Sequence, residues 1–292
     1  MNILLENAKA VWYNLGMNQL TTAKRVSVLS ALVEGCSIRS TVRMTGVAKN
    51  TVIKLLVDAG KACARYQHEH IRGVKAQRIQ CDEIWSFVGM KERQVPDNRK
   101  GEIGVGDVWT WVAIDADSKL VVSYLVGARD GMHASHFISD VAGRLANRVQ
   151  LTTDGHKPYL EAVEGAFGGE IGYAMLIKLY GNTPGNTAEV RYSPGECIGT
   201  RKEVIIGSPD MGKVSTSFAE RQNLTMRMRM RRFTRLTNAF SKKIENHEHA
   251  ISLNFMHYNF VRRHQTLKVT PAMAAGLTRK MMSLEDIVAL ID

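Results

Sequence analysis

The first clear pattern of apolar and polar positions is a set of short helical stripes near the N-terminus. Residues 22–34 repeat apolar side chains at spacings of three and four, which predicts one helix. A second short helix begins at Ser37, and a third is predicted over 47–58, with Gly60 as its end. Three short helices with a glycine in the second turn predict a helix-turn-helix DNA-binding domain over 1–60. An ordinary three-helix core is the alternative interpretation.

After a polar and basic stretch at 61–78, predicted as a linker or a continued helix, the pattern changes to strands. The predicted order is three strands, a helix, a strand, a helix and a strand, over 79–88, 108–115, 119–126, 133–147, 149–153, 158–167 and 173–179. Three meandering strands followed by α/β alternation predict a mixed sheet with helices on its faces. This is the order of a ribonuclease-H-like domain, predicted over 79–292, although flavodoxin-like folds also alternate. The predicted class is therefore α/β, with an all-α N-terminal domain and a helical C-terminal segment.

The stretch 180–215 interrupts this alternation. It holds nine glycine and proline residues and has no clear period, so it is predicted to be a loop insertion in the catalytic domain. Long loops of this kind are often functional. Residues 216–243 and 245–265 are then predicted to be helical.

The charge of the chain points to a polyanionic partner. Lys plus Arg number 39 and Asp plus Glu number 28, a net charge of +11. Residues 220–243 hold eight Lys or Arg against one Glu. Nucleic acid is the common partner of such a chain, and a solvated helix face is the alternative interpretation of the basic run.

The apolar content of 45% excludes a mostly disordered chain. No apolar run approaches the ~20 residues that span a bilayer.

Two carboxylates stand on strands that a mixed sheet can place side by side. Asp82 lies within the first predicted strand, and Asp154 follows the fourth. Like charges this close repel unless divalent cations lie between them, and two such ions can catalyse phosphoryl transfer. Glu220, at the start of the basic helix, is the predicted third metal ligand, and Arg227 is its helper, two turns along the same face. Glu83 is set aside, because strand alternation points it away from Asp82.

Residues expected to contact DNA lie in both halves of the chain. The exposed start of the third helix carries the residue types that contact phosphates and base edges, namely Lys49, Asn50, Thr51 and Lys54. The basic helix adds Arg221, and a stripe formed by Arg227, Arg231 and Arg235, which recur every four residues. Four side chains could stack on unpaired terminal bases, namely Phe255, Tyr258, Phe260 and His264. Core packing is the favoured interpretation for the two phenylalanines, and it is an equal alternative for Tyr258 and His264.

Six segments of the chain, in this order, resemble the transposases of the insertion sequence 1 family, a bacterial branch of the DDE transposases. They are CDEIWSFVG, GDVWTWVAID, RVQLTTDGHKPYLEAVEGAFG, YAMLIKLYG, STSFAERQNLTMRMRMRRFTRLTNAFSKK and NFMHYNFVRRHQTLKVTPAMAAG. The resemblance covers roughly residues 22–276. The ERQN segment and the HYNF…TPAMA segment are long and specific.

The resemblance implies a set of roles for these residues. Asp82, Asp154 and Glu220 match the three acidic residues of the family, and Arg227 matches the basic residue after the glutamate. The implied activity is cleavage at the ends of a mobile DNA element and joining of its 3′-OH ends to target DNA, with Mg²⁺ or Mn²⁺. The implied partners are DNA and further copies of the chain, in the bacterial cytoplasm on the nucleoid.

One departure from the family, and two other functions, bear on this expectation. Members of the family can carry a cysteine-rich zinc-binding segment before the helix-turn-helix. The four cysteines of this chain stand far apart, so no zinc is predicted. The alternatives are a catalytically silent DNA-binding regulator, which the intact acidic set disfavours, and a nuclease that cuts without joining.

Overall fold

Three helices open the described part of the chain, as the apolar stripes predict. The computed structural model describes residues 19–102, 104–181, 195–234 and 237–292. The helices are α1 (Thr22–Val33), α2 (Ile38–Thr45) and α3 (Lys49–His70). The hydroxyl of Ser37 caps α2 by accepting a hydrogen bond from the backbone of Ser40 at 3.0 Å. Gly46 ends α2 with a φ of +68°, a left-handed conformation that favours glycine.

The prediction that Gly60 ends the third helix is wrong, because α3 continues through it to His70. A Cβ atom at position 60 would stand 2.3 Å from the Cβ of His249, which lies on the later helix α7 (Ile244–Met256). Glycine therefore permits a close approach of α3 and α7. The first part of the predicted linker at 61–78 is thus continued helix, and it packs on the C-terminal part of the chain.

We expect Gly60→Ala to destabilise the fold by about 1–3 kcal/mol, because the added methyl group overpacks the contact between α3 and α7. Gly165→Ala is the matched control. Gly165 is also helical, and nothing stands within 4 Å of an added Cβ. That variant is expected to be more stable by about 0.5–1 kcal/mol, the usual gain from alanine in a helix. Urea denaturation measures both, and equal stability of the two variants would contradict this account of Gly60.

Within the described ranges, six strands form one mixed sheet in the order β3-β2-β1-β4-β5-β6. They are β1 (Arg78–Val88), β2 (Gly106–Asp115), β3 (Val121–Gly127), β4 (Gln150–Thr153), β5 (Gly172–Tyr180) and β6 (Cys197–Ile206). The meander β1-β2-β3 is antiparallel, whereas β4 runs parallel to both β1 and β5. The helices α4 (Gly131–Arg144) and α5 (Pro158–Phe167) provide the crossovers that parallel pairing requires. The mixed sheet predicted from the pattern is therefore present.

The prediction of a loop over 180–215 is wrong for β6, which pairs antiparallel with β5 along its length. No alternation marks this strand because it lies at the edge of the sheet and both of its faces are largely exposed. Cross-strand pairs, such as Ile177 opposite Arg201, fix its register instead. Residues 182–194 of the predicted loop lie outside the described part of the chain.

The helix predicted over 216–243 ends early. The helix α6 spans Ser217–Arg229, and Met230 then adopts an extended conformation before a short 3-10 turn. The break buries Met230 and Phe233 against the sheet. Arg227 and Arg231 therefore do not share a helix, and the predicted stripe is interrupted. Arg235, its third member, lies outside the described residues.

The C-terminal part continues with α7, a π turn at His257–Val261 and two short helices, α8 (Pro271–Ala274) and α9 (Leu284–Ala289). The helices α4 and α5 cover one face of the sheet, where Trp111 packs against Phe137 and Tyr159. The helices α6 and α7 cover the other face through an apolar cluster of Ile84, Val112, Val121, Met226, Met230, Phe233, Ile251 and Phe255. No described helix has both the length and the apolar character to cross a membrane.

Candidate active site

The carboxylates meet where β4 ends beside β1. The parallel pairing of the two strands extends only from Arg78 to Gln80 on β1, because β4 stops at Thr153. Asp154 follows at once, and Asp82 lies just beyond the paired stretch. The carboxylate oxygens of Asp82, Glu83 and Asp154 approach to within 4.8 Å of one another. The neighbouring strands therefore bring Asp82 and Asp154 together, as the sequence predicts.

Strand alternation does not keep Glu83 out of this group of carboxylates. Glu83 does pair opposite Trp111, on the other face of the sheet from Asp82. Its carboxylate nevertheless joins the group, because no described strand pairs with this edge of β1 immediately beyond Gln80. The side chain is only 1% exposed and accepts a hydrogen bond from Nε of Arg129 at 3.0 Å.

Burial and mutual repulsion raise the pKa values of two of these carboxyls. Burial raises the pKa of Asp82 to about 7, and the charge of Asp154 adds to the shift. Burial likewise raises the pKa of Glu83 to about 8, again with a contribution from Asp154. The amide nitrogen of Asn223 donates a hydrogen bond to Asp82 at 2.8 Å and partly offsets the effect. A group of this kind favours a bound cation.

Two basic side chains neutralise parts of the site. Arg129 bridges Glu83 and Asp154, with its Nη2 3.3 Å from Oδ2 of Asp154. Lys178, on β5, forms an ion pair with Glu220 at 2.7 Å. Burial tends to raise the pKa of Glu220, but the hydrogen bonds from Lys178 and Thr216 outweigh it and hold that pKa below its usual value.

Glu220 and Arg227 line the same cleft as the two aspartates, a cavity of about 910 Å³. Glu220 lies in the first turn of α6, and Asn223 and Arg227 follow at three and seven residues, so one helix face carries all three. Glu220 stands outside the tight group of Asp82, Glu83 and Asp154. The structure thus brings the four predicted catalytic residues to one cleft.

The donor set fits a hard divalent cation. The ligands available are carboxylate and amide oxygens, which Mg²⁺ prefers in proteins. Oδ1 of Asn223 is buried and has no hydrogen-bond partner, because the amide nitrogen is turned toward Asp82. An unpaired buried oxygen is costly, and a cation beside the carboxylates offers it a partner.

The predicted DNA contacts of α3 lie at the surface, away from this cleft. Lys49, Asn50, Thr51 and Lys54 are all exposed at the start of the helix, and Lys54 pairs with Asp58 at 2.6 Å.

In the C-terminal half, the predicted DNA contacts are scattered. Arg221 is exposed on α6, whereas the exposed Arg231 lines a different cavity beside α1 and α2. The hydroxyl of Tyr258 donates a hydrogen bond to the carbonyl of Lys119 at 3.0 Å, and His264 is partly buried nearby. The prediction that Phe255 and Phe260 are core residues is confirmed, since their side chains are 0% and 1% exposed.

The sequence analysis did not predict the polar contacts that Asn223, Glu83, Arg129 and Lys178 make in the cleft. Asn223 was detectable, because it stands three residues after Glu220 on a predicted helix. Lys178 carries no such signal, because it reaches the cleft on β5, which pairs with β4. Arg129 lies in the connection between β3 and α4, and its partners Glu83 and Asp154 are distant in sequence.

Comparison with known proteins finds a match to one transposase family model over part of the chain. The family model described as IS1 transposase matches residues 201–261, which contain most of β6, α6 and α7. No curated protein sequence matches the chain. A cryo-EM structure of piggyBac transposase, in a synaptic complex with hairpin DNA, is similar at a TM-score of 0.40 and 9% identity, over 92% of this chain and 69% of that one. The family match confirms, over residues 201–261, the resemblance to the insertion sequence 1 transposases.

Proposed function

We propose that the protein is a DNA transposase with a ribonuclease-H-like catalytic domain, which cuts the ends of an insertion sequence and joins their 3′-OH ends to target DNA. The observation that carries the proposal is the meeting of Asp82 and Asp154 at the end of β4, opposite Glu220 and Arg227 of α6. The match to the transposase family over the segment that contains Glu220 supports it.

In this proposal, Asp82, Asp154 and Glu220 hold two Mg²⁺ or Mn²⁺ ions, and the chain takes no zinc. Such ions supply an activated nucleophile and stabilise the leaving oxygen in phosphoryl transfer. Asn223 orients Asp82 through its amide nitrogen. Arg129 fixes Glu83 and Asp154, and Arg227 contacts a DNA phosphate at the cleft.

The proposed binding partner of the protein is DNA. The helices α1–α3 are proposed to act as the helix-turn-helix that recognises the element ends, and Arg221 and Arg231 to contact DNA phosphates. Joining two ends to one target requires that at least two copies of the chain act on the same DNA, so a homo-oligomer is part of the proposal.

A strand-transfer assay tests the function. Purified protein is mixed with labelled element-end DNA, a target plasmid and Mg²⁺, and the joined product is scored. A joined product supports a transposase. Cleavage without joining indicates a nuclease, and binding without cleavage indicates a regulator.

Asn50 and Lys49 are expected to differ in their effect on end recognition. The amide of Asn50 can pair with adenine at two points, which is worth about 1–3 kcal/mol of discrimination. Asn50→Ala should therefore reduce the preference for element ends over scrambled DNA by roughly tenfold. Lys49→Ala is the matched variant on the same exposed turn. It should weaken binding to both duplexes about equally, because a phosphate contact carries no sequence information.

Competition binding at fixed salt measures both variants. An unchanged preference in Asn50→Ala would remove this residue from base readout and shift specificity to another part of the chain.

A further inference from the structure

A second cleft lies further along the same open edge of β1. Beyond Gln80, this edge meets no described strand until Val88, where Ser241 forms an isolated bridge. The backbone of Gly89 donates to the carbonyl of Ser241 at 2.8 Å and fixes that end. The carboxylate site thus occupies one end of the open edge, and a cavity of about 600 Å³ occupies the other.

Aromatic rings line this second cleft. Trp85 and Phe87 of β1 have ring centroids 5.7 Å apart, and Phe240 stands 4.8 Å from Phe87. All three are partly exposed. On the same face of the sheet, Trp111 packs against Phe137 of α4 and Tyr159 of α5 and is completely buried. A partly exposed aromatic row therefore lies beside the candidate active site.

Three basic side chains lie beside these rings. Nζ of Lys242 lies 3.4 Å from the Phe240 centroid, and Nζ of Lys91 lies 5.9 Å from that of Phe87. Arg232 also lines the cleft and donates to the hydroxyl of Ser241 at 2.8 Å. No acidic side chain is found among the described residues that line this cavity. The surroundings therefore complement an anion that also has flat apolar faces.

Arg129 connects the aromatic row to the carboxylates. Its guanidinium stands 4.9 Å from the ring of Trp109, which pairs opposite Trp85 across β1 and β2, and it also binds Glu83 and Asp154. From Asp82 to Phe87 the strand rises by roughly 17 Å. A DNA strand bound at the carboxylates therefore reaches these rings within a few nucleotides.

We propose that the cleft of Trp85, Phe87 and Phe240 binds unpaired bases of the DNA strand close to the phosphate that is cut. The bases stack on the rings, as single-stranded nucleic acid stacks on aromatic side chains in other proteins, and Lys91, Lys242 and Arg232 contact the backbone. The contacts offset the cost of taking bases out of the duplex. This inference rests on the proposed function, because it takes DNA as the substrate.

Binding to three DNA probes tests the inference, in EDTA so that no cleavage occurs. The probes are a paired element-end duplex, the same duplex with a two-base mismatch beside the cut, and a twelve-residue oligothymidylate. The wild-type chain is expected to bind the mismatched duplex roughly five- to tenfold more tightly than the paired one, because the mismatch removes the cost of unpairing.

Phe87→Ala and Phe240→Ala are expected to weaken binding to the oligothymidylate and the mismatched duplex by about tenfold each. Phe240→Tyr keeps a ring and should bind as the wild type does. Phe167→Ala is the control, since it truncates a partly buried ring at the end of α5, away from both clefts. Circular dichroism and melting confirm that each variant is folded. Oligothymidylate and mismatch binding within twofold of the wild type in both alanine variants would overturn the proposal.

Photocrosslinking of the unaltered chain gives a second test that needs no variant. A 5-iododeoxyuridine is placed at each position near the cut, and the crosslinked peptide is identified. Crosslinks to the peptides of β1 or of residues 239–243 support the cleft, and crosslinks confined to other peptides overturn it. If the wild-type chain cuts element ends but shows no preference for unpaired bases, only this inference fails. If it binds none of the probes, the proposed function fails as well.

Discussion

Asp82→Asn and Asp154→Asn are each expected to abolish DNA cleavage and joining while binding to element ends stays within about twofold. Each variant keeps the shape of the side chain but loses one of the charges that hold the cations. Metal catalysis supplies several kcal/mol to phosphoryl transfer, so we expect a loss of about 10³-fold or more in the rate. Single-turnover cleavage of labelled end DNA in Mg²⁺ measures the effect.

Glu164→Gln serves as the control, because Glu164 is an exposed carboxylate on α5 outside both clefts. It should cleave at the wild-type rate. Retention of more than a tenth of the activity by either aspartate variant would contradict the assignment of that residue.

The same Asp82→Asn variant is expected to melt several degrees higher than the wild type at pH 8 in EDTA. Burial raises the pKa of Asp82 to about 7 in the folded chain, so the folded state binds this proton more tightly than the unfolded state. The free energy of unfolding therefore falls as the pH rises from about 4 to about 7, and the charged form destabilises the fold above that range. Asparagine removes this contribution, since it carries no charge. A melting temperature equal to or below that of the wild type would contradict the raised pKa.

Glu220→Gln is expected to lower the rate of joining by about 10²-fold or more, whereas Glu83→Gln should lower it less. Glu220 lies across the cleft on α6, where Lys178 and Thr216 hold it. Glu83 is already paired with Arg129 and is 1% exposed. The loss of one ligand charge costs several kcal/mol of metal-assisted catalysis.

Rates measured over a Mn²⁺ titration separate the two glutamates. The variant that has lost a metal ligand should need more Mn²⁺ for half its maximal rate. If Glu83→Gln shows the larger loss and the greater demand for Mn²⁺, Glu83 is the third ligand and Glu220 is a partner of Lys178.

The described elements show which parts of the fold depend on local pattern. The strands β1 to β5 and the helices between them begin and end within a few residues of their predicted bounds, because alternation and helical spacing report which faces are buried. The edge strand β6 escaped prediction because neither of its faces is consistently buried. The end of α6 at Arg229 also escaped, because the long-range packing of Met230 and Phe233 decides it.

For the candidate site, the sequence by itself determined that Asp82, Asp154 and Glu220 stand at the places where a mixed sheet and a following helix can converge. Only the tertiary structure decided that Glu83 joins the group, because β4 is too short to cover the edge of β1 beyond Gln80. It also decided that Trp85, Phe87 and Phe240 line a surface cleft. The spacing of residues along the chain predicts which face of a helix or strand they occupy. Whether that face is exposed depends on where the neighbouring helices and strands end.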